Sequence, residues 1–146
     1  MTTDPWGEII GQDDAVATLR RAAASPGTSA MTHAWLITGP PGSGRSNLAF
    51  AFATALLSPA GTIDERVAIQ VAARTHPDLV VLATEGVTIK IDAARDAVQR
   101  ASLSPASSRH RVVVVEDADR MVERTSNTLL KALEEPPEDT VWILCA

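Results

Sequence analysis

The stretch Gly39-Pro40-Pro41-Gly42-Ser43-Gly44-Arg45-Ser46 restricts what this chain can become more than any other feature. It lies between an apolar run, Ala34-Trp35-Leu36-Ile37-Thr38, and a second run in which Leu48, Ala49, Phe52, Ala53, Leu56 and Leu57 recur at helical spacing. Strand, glycine loop and helix in that order let the loop's backbone N–H groups point inward at phosphate oxygens, with the positive helix N-terminus behind them. The stretch matches a phosphate-binding loop at every position but one. Ser46 stands where a hydroxyl would meet magnesium, and Arg45 replaces the lysine that would reach the outer phosphates. Arginine keeps the charge but is longer and planar, less suited to tuck into a loop as a compact point charge. A phosphoryl-transfer site depends on that cation. The expectation is therefore weak ATP or ADP binding with Mg2+ at most, no required cofactor, and no catalysis by this chain alone.

A second cluster falls where such a site would need it. Glu116-Asp117-Ala118-Asp119 directly follows Val112-Val113-Val114-Val115, an unbroken β-branched run of the kind found in strands buried on both faces. An acidic pair at this place holds magnesium through its first member and orients the attacking water through its second. That gives Glu116 the metal role and Asp117 the water role, the reverse of the usual Asp-Glu order. The competing reading makes Asp117 and Asp119 solvated or helix-capping carboxylates. Ile9 and Ile10, ahead of the first helix, could line an adenine pocket, although a hydrophobic staple at the helix entrance is the favoured reading.

Around these clusters, apolar runs alternate with amphipathic stretches, the pattern of a mostly parallel α/β sheet. Strands are expected at 34–38, 79–82, 112–115 and 141–144. Helices are expected over 13–24, from Arg45 or Ser46 to Leu57, over 62–73 with Thr62 and Glu65 as a capping box, over 91–103 with Asp92 as the cap, and over 125–135. Lys131 and Glu135 are spaced as an i,i+4 surface pair. One domain fills residues 1–146, and a chain that stops at a central strand reads as incomplete at its C-terminal end.

Composition narrows the function classes. A net charge of −5, with the cations scattered along the chain, leaves no basic stripe for gripping a nucleic-acid backbone unaided. Contact with DNA would then be indirect. The lone Cys145 excludes an internal disulfide and, inside an apolar run, reads as a buried thiol. His33 and His76 have no partner at metal-ligand spacing, so no metal site is expected. No apolar stretch approaches a membrane span and no secretory signal opens the chain, which makes a cytoplasmic protein the default.

Three segments carry a resemblance: His33 to Gly42, Val114 to Met121, and Asn127-Thr128-Leu129-Leu130-Lys131-Ala132-Leu133-Glu134-Glu135-Pro136-Pro137. With the Ile9-Ile10-Gly11-Gln12 opening, they resemble the bacterial clamp-loader AAA+ family over nearly the whole chain. The resemblance implies a three-layer P-loop NTPase fold with a mostly parallel central sheet, here ending before the lid domain. It implies a subunit of a DNA polymerase III holoenzyme, acting beside gamma/tau and delta subunits and reaching the sliding clamp and primed DNA through the complex. Any polymerase activity would belong to that complex. The altered loop resembles the non-hydrolysing delta-prime type more than the ATP-hydrolysing gamma/tau type. The alternative is a gamma/tau-like ATPase using Arg45 in place of lysine. Two departures stand out. Residues 58–77 lack the four zinc-binding cysteines usual in the family, so no zinc is expected. The family's Ser-Arg-Cys segment, whose arginine the resemblance implies completes a neighbour's ATP site, would lie beyond residue 146.

Overall fold

A computed structural model describes residues 5–8, 12–24, 33–40, 44–59, 62–84, 88–134 and 139–146. Four strands, β1 (Ala34–Ile37), β2 (Leu79–Leu82), β3 (Arg111–Val115) and β4 (Thr140–Cys145), form one parallel sheet in the order β1-β4-β3-β2. α1 (Asp13–Ala24) precedes β1, and α2 (Arg45–Leu57), α3 (Glu65–Ala72), α4 (Ile91–Ala101) and α5 (Glu123–Glu134) run between the strands.

Side chains alternate across a strand, and that alternation sorts the core into two halves. Val112, Val114, Val141, Ile143 and Cys145 face α1, α2 and α3, where Leu48, Phe52, Leu56, Val67 and Val71 meet them. Val80, Leu82, Val113, Val115 and Trp142 face α4 and α5, against Ala94, Ala97, Ala101 and Leu129. The result is the three-layer α/β arrangement expected. The four valines of β3 lose all solvent contact, and each contributes about 1.5–3 kcal/mol of apolar burial. That explains why a run without polar relief occupies an inner strand. On the α2 side, Trp35 meets Phe52 edge to face at 5.2 Å.

Helix boundaries depart from expectation where capping chemistry was misassigned. Asp64, not Thr62, caps α3: its carboxylate accepts from Val67 N at 3.1 Å, and the helix starts at Glu65. Lys90, with extended backbone, precedes α4, which puts Asp92 inside the first turn where its charge meets the helix dipole. That helix ends at Ala101, leaving Leu103 exposed. The last helix begins at Glu123, two residues before Thr125. Glu135 and Pro136-Pro137 lie outside the described residues, as does the pairing of Lys131 with Glu135.

One buried polar network ties the N-terminal edge of the sheet. Asp78 is fully buried and accepts from the backbone N–H groups of Ala106, Ser107 and Ser108, while Arg111 approaches it at 3.5 Å. The Arg111 guanidinium also donates to the carbonyls of Leu103 and Ser104. Burial works against the Asp78 carboxylate, but these hydrogen bonds outweigh it and hold its pKa below the ordinary value. The segment after α4 is thereby fastened to the strands it crosses. His76 belongs to the same network, its Nδ1 accepting from Asp78 N at 3.0 Å.

Candidate nucleotide-binding site and family

The strands are parallel, so the loops following β1 and β3 and the end of β4 lie at one edge of the sheet. In open α/β sheets, that carboxyl edge is where ligands bind. The glycine loop after β1 and the acidic segment after β3 thus converge, with the end of β4 between them. Gly39 N donates to Ala146 O at 3.1 Å, and Ala146 N donates to Ile37 O at 3.1 Å, fastening the loop's first residue to β4. Gly44 has φ +91 at the start of α2. A Cβ there would meet nothing within 4 Å, so glycine is needed for backbone conformation and not for space. Ser46 is the second residue of α2 and half-buried.

Arg45 is the first residue of α2, and its side chain is 5% exposed. Nη1 donates to Gly39 O, and Nη2 donates to Asp117 Oδ1 at 2.8 Å. Asp119 Oδ1 lies 3.7 Å from the same nitrogen. The guanidinium therefore folds back onto its own loop and across to the acidic segment. Asp117 holds φ 53 and ψ 48, a left-handed conformation uncommon for residues other than glycine, though Asp tolerates it better than most. Asp117 precedes the turn Ala118–Arg120 but makes no side-chain cap; it is an ion-pair partner of Arg45. Glu116 N donates to Leu82 O at 2.8 Å, extending the sheet by one residue.

The loop's one cation is committed to a protein carbonyl and a carboxylate, and Glu116, Asp117 and Asp119 outnumber it. Cys145 sits beneath, its Sγ 3.8 Å from Arg45 O. Burial pushes its thiol up to about 11; Arg45 opposes the rise, and Glu116 and Asp117 add to it. The expected buried, inert thiol is what the structure contains.

Among the sequence candidates, Gly39, Pro40, Gly44, Arg45, Ser46, Glu116 and Asp117 fall on this edge. Pro41, Gly42, Ser43, Ile9 and Ile10 lie outside the described residues. The Arg45–Asp117 pair was not anticipated, because its partners are 72 residues apart. The clue was the Lys-to-Arg change, since a longer forked cation can reach a carboxylate across the site. Sequence also missed a surface groove of about 580 Å³ between α4 and α5, which gathers Arg95, Arg124 and Lys131 with Asn127 and Thr128. Scattered along the chain, these cations give no stripe; two packed helices bring them together. Among the described residues no His, Cys, Asp and Glu group could hold a metal ion, and no helix is long and apolar enough to cross a membrane.

A parallel sheet with a glycine loop after β1 and an acidic pair after β3 defines a P-loop nucleotide-binding fold of the AAA+ kind. The chain belongs to the family described as DNA polymerase III, delta subunit, whose model matches residues 11–146. It is 39% identical to the delta-prime subunit of Pseudomonas aeruginosa DNA polymerase III over 81% of its length, covering 38% of that protein. It is 31% identical to the gamma/tau subunit of Mycobacterium bovis over 94% of its length, covering 24% of that protein. The chain thus spans well under half of these relatives. A crystal structure of a DNA polymerase III gamma subunit-related protein from Thermotoga maritima superposes with a TM-score of 0.58 at 24% identity, over 89% of this chain and 38% of that one. That likeness supports the fold.

Proposed function

We propose that the chain is the nucleotide-fold portion of a clamp-loader subunit of the delta-prime kind: a cytoplasmic, non-hydrolysing member of a DNA polymerase III assembly. Its partners in this reading are gamma/tau and delta subunits, and it serves the loading of a sliding clamp on primed DNA. The observation that carries it is Arg45, which occupies the position of the phosphate-binding cation yet is turned inward onto Gly39 and Asp117. A motor subunit needs that cation free for phosphate. The 39% identity to a delta-prime subunit, against 31% to a gamma/tau subunit, supports the same choice.

The test is co-purification of the full-length protein with gamma/tau and delta subunits of its own organism, together with ATP turnover by the isolated protein. A stable complex and no turnover are expected. Turnover that Glu116→Ala abolishes would replace this reading with the gamma/tau-like ATPase.

A further inference from the structure

We infer that the short turn Ala118–Arg120 is a strut between the start of α2 and the head of α4, and that Arg45 sets it: by holding Asp117, Arg45 fixes where the α4–α5 surface begins. The link is internal to the fold and independent of the partners proposed above.

Hydrogen bonds in series build it. Arg45, its side chain 5% exposed, donates to Gly39 O on one side and to Asp117 Oδ1 on the other. A guanidinium is a rigid planar fork, so meeting both oxygens fixes its direction and the Asp117 side chain with it. Asp117 O accepts from Arg120 N at 2.9 Å, which closes the turn, and Arg120 O accepts from Ile89 N at 3.2 Å. Ile89 is 1% exposed, in the half of the core that holds Val115 and Leu129, and α4 starts two residues later. Lys90 gives that helix no side-chain cap. Lys90, Ile91, Arg124 and Thr125 line a surface hollow of about 390 Å³, and Ile91 and Arg124 also line the α4–α5 groove. One end of the strut is thus tied to Arg45 and the other stands in the wall of the groove.

The backbone of Asp117 marks where the strut is under tension. Its φ of 53 and ψ of 48 are seldom taken by L residues, and such a conformation persists only where the surroundings over-determine it. Arg45 holds the side chain and the turn holds the carbonyl. Without the guanidinium, Asp117 relaxes toward ordinary backbone, its carbonyl turns away from Arg120 N, and the bond from Ile89 loosens next. Asp119 Oδ1 lies 3.7 Å from Nη2 on a mostly exposed side chain, adding charge beside Arg45 without a hydrogen bond. It therefore separates the effect of charge from the effect of the strut. Coupling of this kind is reciprocal, so displacement at the head of α4 is also felt at Arg45.

The experiment is hydrogen–deuterium exchange by mass spectrometry on the full-length wild type, Arg45→Met and Asp119→Asn. Arg45→Met keeps a buried stem and removes the fork. The peptide containing Ile89 and the first turn of α4 is expected to exchange at least about tenfold faster in Arg45→Met, while the β3 peptide changes by less than about twofold. Asp119→Asn should match wild type in both. No change at Ile89 in Arg45→Met overturns the strut, as does an acceleration that β3 shares in full, which would mean global loosening. The same acceleration in Asp119→Asn also overturns it, because charge alone would then set the exchange. Should Arg45→Met fail to fold, Asp117→Gly decides by the same readings: glycine lacks the carboxylate and lets the backbone leave the left-handed region without strain.

Discussion

Arg45 and Asp117 meet at 2.8 Å across the carboxyl edge of the sheet, linking the first residue of α2 to the second residue after β3. The arginine is nearly buried and the aspartate about a third exposed. Such a pair lies between exposed bridges, worth about 0–1 kcal/mol, and buried ones, whose breaking costs about 3–5 kcal/mol. Asp117→Ala should therefore lower stability by about 1–2 kcal/mol in urea unfolding without nucleotide. A loss within error would mean that solvent already screens the pair.

Asp78 should matter more, although it lies far from the glycine loop. Its carboxylate is fully buried, accepts three backbone N–H groups and faces Arg111. Asp78→Ala strands those donors and leaves a buried cation without its counter-charge, at a cost of about 3–5 kcal/mol. With its pKa held below 3.8, the native carboxylate stabilises the fold above that value, and this contribution is lost as pH falls through the depressed one. Urea midpoints for wild type and variant at neutral pH check the magnitude. A difference below about 1 kcal/mol would refute the network's importance.

His110 also makes acid destabilising, but because the folded chain resists a charge instead of holding one. Both ring nitrogens are buried without a hydrogen-bond partner among the described residues. Burial depresses its pKa below 6.5, Arg109 and His33 add to the depression, and Asp139 opposes it. Below 6.5 the unfolded chain takes up a proton that the folded chain resists, so stability falls as pH drops from 6.5 toward the folded value. His110→Phe removes the titration and forfeits no hydrogen bond. The expected result is a melting temperature at pH 7 no lower than wild type and a shallower loss between pH 7 and 5. Parallel pH profiles for the two proteins would show that His110 does not contribute to acid sensitivity.

Cys145 should resist alkylation. With its thiol pushed up to about 11, only about one in a thousand is ionised at pH 8, and the thiolate is the reacting form. Iodoacetamide labelling of the native protein should run at least about a hundredfold slower than in urea. Comparable rates in the two states would mean that the end of β4 opens readily.

What could be read without a structure followed from local rules. The β-branched run Val112–Val115 has no polar side chain to give to solvent, so it became an inner strand. The order strand, Gly39–Ser46, helix required a loop above the sheet's carboxyl edge, and the alternation of strands and helices required parallel pairing. Caps were misjudged because Thr62, Asp64, Lys90 and Asp92 compete within a few residues, and backbone geometry selects among them.

The state of the site, by contrast, was decided by the tertiary structure alone. Sequence showed an arginine in the place of a lysine; it could not show where the guanidinium points. That direction depends on β3 lying one strand from β1, with β4 between them, so that a carboxylate 72 residues away comes within hydrogen-bond distance. The clustering of Arg95, Arg124 and Lys131 was hidden for the same reason, since side chains on two helices share a groove only after those helices pack. Periodicity and loop chemistry act over a few residues and are written in the sequence. Charge pairing acts through space, and space is set by the fold.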